Sequence, residues 1–135
     1  MSSILVVDDE PEIVTLLSFV LEQDGHTVTS AGHGLEALER LGFQPGEPTR
    51  ALPDLIVLDI MMPVMDGYQL NIRLQNEPRA KDIPILVLTA KGQKMRDLFE
   101  MAPNVAAYVQ KPFDPGMLRE LIAGILASRG EKKNV

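Results

Sequence analysis

Four short runs of aliphatic residues, each leading to a polar residue, constrain this chain more than any other feature. Ile4-Leu5-Val6-Val7 ends at Asp8-Asp9, Leu55-Ile56-Val57-Leu58 ends at Asp59, and Ile85-Leu86-Val87-Leu88 ends at Thr89. Ala106-Ala107-Tyr108-Val109 is followed, after Gln110, by Lys111. Runs this short and this rich in Val, Ile and Leu read as strands covered on both faces of a parallel sheet. In open α/β sheets, ligands bind beyond the carboxyl ends of the strands. Three carboxylates, a hydroxyl and an ammonium should therefore meet at one sheet edge. That set of groups suits a magnesium ion and a phosphoryl group.

The segments between the runs have helical spacing. Pro11 stands where a helix begins, Ile13, Leu16, Leu17, Val20 and Leu21 share one face, and Gly25 ends the helix. His26 to Ser30 alternate as a second strand, and Leu35, Leu38 and Leu41 mark a short helix ending at Gly42. Helices are also expected near Tyr68 to Gln75, at about Gln93 to Met101, and from Pro115 onward. The stretch from Phe43 to Pro53 holds three prolines and a glycine, and reads as an irregular surface insertion. Strand alternating with helix predicts a doubly wound α/β sheet.

With 135 residues, one domain is expected over about 1–129, followed by a flexible polar tail at 130–135. A net charge of -6 argues against nucleic-acid binding, which needs clustered Lys and Arg. Cysteine is absent, which excludes disulfides and thiol chemistry. No apolar stretch approaches the ~20 residues of a membrane span, and no signal-peptide pattern precedes the first strand. A cytoplasmic location without membrane contact is the expectation.

Clustered carboxylates repel one another unless a cation joins them. Magnesium prefers oxygen ligands, commonly one or two carboxylates with water and a phosphate oxygen. Taken alone, Asp8-Asp9-Glu10-Pro11 reads equally well as an acidic helix start. Asp59, ending another strand, favours the cation. Beside a metal, a carboxylate can attack phosphorus and form an aspartyl phosphate. Thr89 can donate a hydrogen bond to a phosphoryl oxygen, and Lys111 supplies a compact positive charge.

These motifs together resemble the receiver domains of two-component response regulators. The matching segments are Ile4 to Pro11, Asp59-Ile60-Met61-Met62-Pro63 with Met65-Asp66-Gly67, Thr89-Ala90, and Tyr108 with Lys111-Pro112-Phe113. The resemblance covers about residues 3–128. It implies a flavodoxin-like fold: a five-stranded parallel sheet in order 2-1-3-4-5, flanked by five helices. It implies that Asp59 accepts the phosphoryl group, from a sensor histidine kinase or a histidine phosphotransfer protein. Asp9 would bind magnesium directly, Asp8 mainly through water, and the Met61 backbone carbonyl would complete the protein ligands with Asp59. Lys111 would pair with the phosphoryl group. Thr89 and Tyr108 would shift with it, repacking the surface of the fourth helix, fifth strand and fifth helix. A downstream protein, an output domain missing from this chain, or a second copy bound through that surface would read the change. The chain would then be a switch rather than a multiple-turnover enzyme.

Two departures from the common pattern concern partner surfaces: Pro103-Asn104-Val105-Ala106-Ala107 before Tyr108, and the long insertion. Met61 and Lys91 stand where the family tunes phosphoryl lifetime. Two rival readings remain at this stage. One is a pseudo-receiver that binds partners without phosphorylation. The other is a magnesium-dependent phosphatase, disfavoured because Met61 stands where such enzymes carry an acid. Gly32-His33-Gly34-Leu35-Glu36-Ala37 mimics a dinucleotide fingerprint, but the signal is weak because it follows the second strand, and His33 reads as a turn residue.

Overall fold

The computed structural model describes residues 2–42, 52–59, 67–89 and 104–133. Five strands form one parallel sheet: β1 Ser3–Val7, β2 Thr27–Ala31, β3 Leu55–Asp59, β4 Ile85–Thr89 and β5 Val105–Gln110. Their spatial order is β2-β1-β3-β4-β5, with every neighbouring pair parallel. Four helices lie among the described residues: α1 Pro11–Gln23, α2 Gly34–Leu41, α3 Gly67–Gln75 and a C-terminal helix Pro115–Lys133. The expected helix at Gln93 to Met101 and residues 43–51 of the expected 43–53 insertion lie outside the described residues.

Alternation along the strands divides the core in two. Leu5, Val7, Ile56, Leu58, Ile85 and Val87 join α2 and α3 residues such as Leu38, Leu41, Leu70 and Leu74. Ile4, Val6, Leu55, Val57, Leu86 and Leu88 join Leu17 and Leu21 of α1 with Leu118 and Ile122 of the C-terminal helix. This is why the central strands β1, β3 and β4 are nearly continuous apolar runs: successive side chains point to opposite faces, and both faces are covered. Pro11 is at the start of α1, and Gly25 and Gly42 take positive φ just beyond α1 and α2. An L side chain is strained there, which fixes where these helices stop.

Some boundaries differ from the sequence reading. β2 begins one residue later, at Thr27, and the His26 Nδ1 instead accepts a hydrogen bond from the Ser2 backbone N–H. The helical backbone continues through Gly130 to Lys133, into the stretch expected to be tail. Glu and Lys are good helix formers, so the polar sequence itself does not stop the helix. His33 is the N-cap of α2, its Nδ1 accepting from the Glu36 backbone N–H at 3.1 Å. That capping role accounts for the glycine-flanked histidine without a nucleotide.

Asn71 on α3 and Asn104 before β5 form a buried amide pair. Asn104 Nδ2 donates to Asn71 Oδ1 at 2.7 Å, and Asn71 Nδ2 donates back at 3.4 Å. The Asn104 carbonyl accepts from the Ile85 N–H at 2.8 Å, so α3, β4 and the entry to β5 are tied at one point. Asn71→Leu leaves a buried amide without its partner. It should cost about 1–2 kcal/mol in chemical denaturation, with Asn71→Leu/Asn104→Leu recovering most of the loss. A double variant no more stable than the single one would show that the pair does not act as a unit.

On the surface, Arg119 joins the C-terminal helix to the end of α1. Its Nε donates to Asp24 Oδ2 at 2.9 Å and its Nη2 to Asp24 Oδ1. The Arg119 hydrogen bond holds the Asp24 carboxyl below its ordinary pKa. The stabilisation is therefore present above the unfolded carboxylate's pKa and is lost as the pH falls through the lower folded value. Arg119→Gln should lower the melting temperature slightly at neutral pH. The difference should vanish below about pH 3 or in about 1 M salt. A difference of the same size in high salt would contradict an ionic origin.

Candidate phosphoryl and metal site

The strand register assembles the site. Val7 pairs with Leu58, so Asp8 and Asp59, the next residues, lie side by side at the carboxyl edge. Asp59 pairs with Leu88 and Thr89 pairs with Gln110, which brings Lys111 to the same edge. Parity adds to this. Val6, Val57 and Val109 all face α1 and the C-terminal helix, and Asp8, Asp59 and Lys111 each follow two residues later. A period of two thus aims both acids and the lysine toward one side of the sheet.

Asp8 and Asp59 are buried, at 1% and 5% exposure, while Asp9 and Glu10 are exposed. Carboxylate oxygens of Asp8, Asp9, Glu10 and Asp59 all lie within 4.8 Å of one another. Lys111 Nζ is 2.8 Å from Glu10 Oε1, 3.0 Å from Asp8 Oδ2 and 3.4 Å from Asp59 Oδ2. Burial pulls the lysine's pKa down, but the close contacts with Glu10 and Asp8 and the charge of Asp59 outweigh it. The net result is a lysine well above its ordinary value of 10.5. It remains an ammonium throughout the neutral range.

The turn after β1 is held locally. Asp8 Oδ1 accepts from the Glu10 backbone N–H at 2.9 Å, and the Asp8 N–H donates to the Ala31 carbonyl at 3.1 Å. Glu10 is the N-cap of α1 by backbone, and its side chain makes no capping hydrogen bond. The acidic run therefore does more than cap a helix. Its carboxylates converge on the lysine and on one another.

The donors fit a divalent cation. Asp8 Oδ2 is buried with no hydrogen-bond partner, and its contact with the lysine is ionic only. The Lys111 ammonium lies against three of the four clustered carboxylates, which leaves a strongly negative pocket built of oxygen ligands. Hard oxygen donors of this kind suit magnesium.

Of the residues expected at the site, Asp8, Asp9, Asp59 and Lys111 are brought together. Thr89 is placed by its backbone at the end of β4. The Met61 carbonyl lies outside the described residues, as do Met62, Met65 and Lys91. Tyr108 is partly buried and packs against the α2–α3 side of the core. The Lys111–Pro112 bond is cis. Sequence reasoning counted Glu10 as part of a motif and missed its contact with the lysine. The signal was three consecutive acids, of which only two could be assigned from strand geometry.

Comparison with known proteins agrees with this geometry. The family profile described as response regulator receiver domain matches residues 4–123. The chain is 38% identical over 123 residues to the alkaline phosphatase synthesis transcriptional regulatory protein PhoP of Bacillus subtilis, covering 91% of this chain and 48% of that protein. It is 38% identical over 119 residues to an uncharacterized 14.6 kDa protein of Leptolyngbya boryana, covering 88% and 86%. The crystal structure of a putative response regulator from Chloroflexus aurantiacus superposes with a TM-score of 0.79 at 33% identity, covering 93% of this chain and 98% of that one. The chain spans about half the length of most curated relatives it matches. On register, site and kinship together, the chain belongs to the response regulator receiver domains of two-component systems.

Proposed function

We propose that this domain is a magnesium-dependent phosphoryl switch whose acceptor is Asp59. The observation that carries the reading is the convergence of buried Asp8 and Asp59 on Lys111, with Asp9 beside them. An Asp59 carboxylate oxygen attacks phosphorus of a phosphohistidine on a kinase or phosphotransfer protein. A P–O bond forms as the P–N bond breaks, and the imidazole leaves as the neutral base after taking up a proton. A bound divalent cation supplies charge neutralisation for the carboxylates and the phosphoryl oxygens. Asp8, Asp9, Asp59 and the Met61 carbonyl are the groups that would hold it. Lys111 meets a phosphoryl oxygen with its ammonium, and the Thr89 hydroxyl donates to another.

The readout follows from the coupling of Thr89 and Tyr108 on neighbouring strands. Both move toward the phosphoryl group, biasing a two-state equilibrium at the β5 surface. The fourth helix in chain order, expected at about Gln93 to Met101 and outside the described residues, belongs to that surface. This reading takes residues 1–129 as the working domain. It makes the protein a switch in the cytoplasm, with a protein target, a second copy or an output domain as its reader. Partner access on the donor side is served by α1, which starts at Pro11 beside the site and exposes Leu16 and Phe19. Exposed large apolar side chains on the helix that starts beside the site suit a protein donor.

Beryllofluoride mimics a phosphoryl group on an aspartate. Added with magnesium, it should shift amide resonances around Asp59, Lys111 and Tyr108 together. No shift with magnesium present would favour a pseudo-receiver that acts without phosphorylation.

A further inference from the structure

We infer that Glu10 is a positioning residue that competes for Lys111 and so opposes the phosphorylated state. This inference rests on Asp59 being the acceptor. In the unphosphorylated protein the lysine is shared three ways, and its shortest contact is to Glu10 at 2.8 Å, against 3.4 Å to Asp59. The Glu10 side chain is half exposed, while those of Asp8 and Asp59 are almost fully covered. Glu10 therefore serves the lysine from the solvent side, and the two buried acids serve it from within. It is also a fourth carboxylate within 4.8 Å of the other three.

Phosphorylation changes the balance. The phosphoryl group brings additional negative charge to Asp59, and the lysine must turn toward it. Glu10 opposes that step twice: it holds the ammonium toward the loop, and it adds repulsion to an already negative pocket. Its side chain makes no capping bond to α1, so its charge can be removed without removing a helix cap. Glu10 thus sets how readily the switch turns on, without touching the phosphoryl group.

The test compares the whole chain with Glu10→Gln and Glu10→Ala. Each is titrated with beryllofluoride at saturating magnesium, so that any change in metal affinity is removed. Both variants should bind the mimic about two- to fivefold more tightly than the parent, the range of an exposed ion pair. The gap should narrow in about 1 M salt, which a packing effect would not do. Unchanged or weaker binding by Glu10→Gln would overturn the inference, as would a gain in Glu10→Ala alone. If no protein binds the mimic, the parent included, it is the Asp59 reading that fails. Hydrogen exchange of the Lys111 ammonium, read by NMR, then decides the Glu10 contact. Faster exchange in Glu10→Gln supports the hold on the lysine, and unchanged exchange overturns it.

Discussion

Asp59→Asn is expected to lose every stable phosphoryl adduct while folding at least as well as the parent chain. The amide has no carboxylate oxygen with which to form an acyl phosphate, so the loss is complete rather than graded. Stability should not fall, because the substitution removes a buried charge lying beside Asp8. Lys111 keeps its contacts with Asp8 at 3.0 Å and Glu10 at 2.8 Å, so the lysine is not orphaned. Relief of like-charge repulsion should leave the melting temperature unchanged or raise it. Thermal denaturation without magnesium checks this half. A clear drop in melting temperature would mean that Asp59 contributes to the fold in a way the ion pairs do not describe.

Lys111→Gln is expected to have the largest effect on stability, and magnesium should reverse much of it. The lysine side chain is 15% exposed and lies within 3.4 Å of three carboxylates. Without it, Asp8 and Asp59 remain buried and lose the ammonium they share. Removing one partner of a buried ion pair typically costs 3–5 kcal/mol. Partial exposure and the solvent-side position of Glu10 place this site near the lower end, at about 3 kcal/mol. In a domain of this size that lowers the melting temperature by roughly ten degrees in the presence of a chelator. Magnesium binds the same carboxylates, so it should stabilise the variant more than the parent, which already holds an ammonium there. Equal magnesium stabilisation in both would contradict the idea that lysine and metal share these oxygens.

The lysine also makes a pH prediction with a definite sign. Its folded pKa is raised above the ordinary 10.5. Its contribution is therefore full below that unfolded value and is lost only as the pH rises through the higher folded one. The stability difference between parent and Lys111→Gln should stay flat with respect to lysine titration from neutral pH to about 9. It should shrink only in strong alkali.

The centre of the sheet was legible because β1, β3 and β4 are nearly continuous aliphatic runs, a pattern that two covered faces require. Two of the acids and the lysine were legible for a related reason. Each follows its strand at a position where period-two alternation and neighbouring registers coincide. Other features were hidden because they depend on contacts between distant segments. Asn71 and Asn104 are 33 residues apart, and neither carries a local signal for the other. The register shift between β4 and β5 near Ile85 and Leu86 leaves Ala106 unpaired, and an Ala-Ala sequence does not announce it. Glu10 was read with the helix start because an acid before Pro11 suits that place on sequence grounds. Its actual partner is 101 residues away.

The most direct measurement is intact mass, with peptide mapping, after incubation with acetyl phosphate in the presence and absence of magnesium. The account predicts one added phosphoryl group, mapped to Asp59, dependent on magnesium and absent from Asp59→Asn. A phosphoryl group on another residue, or one that survives in Asp59→Asn, would contradict it.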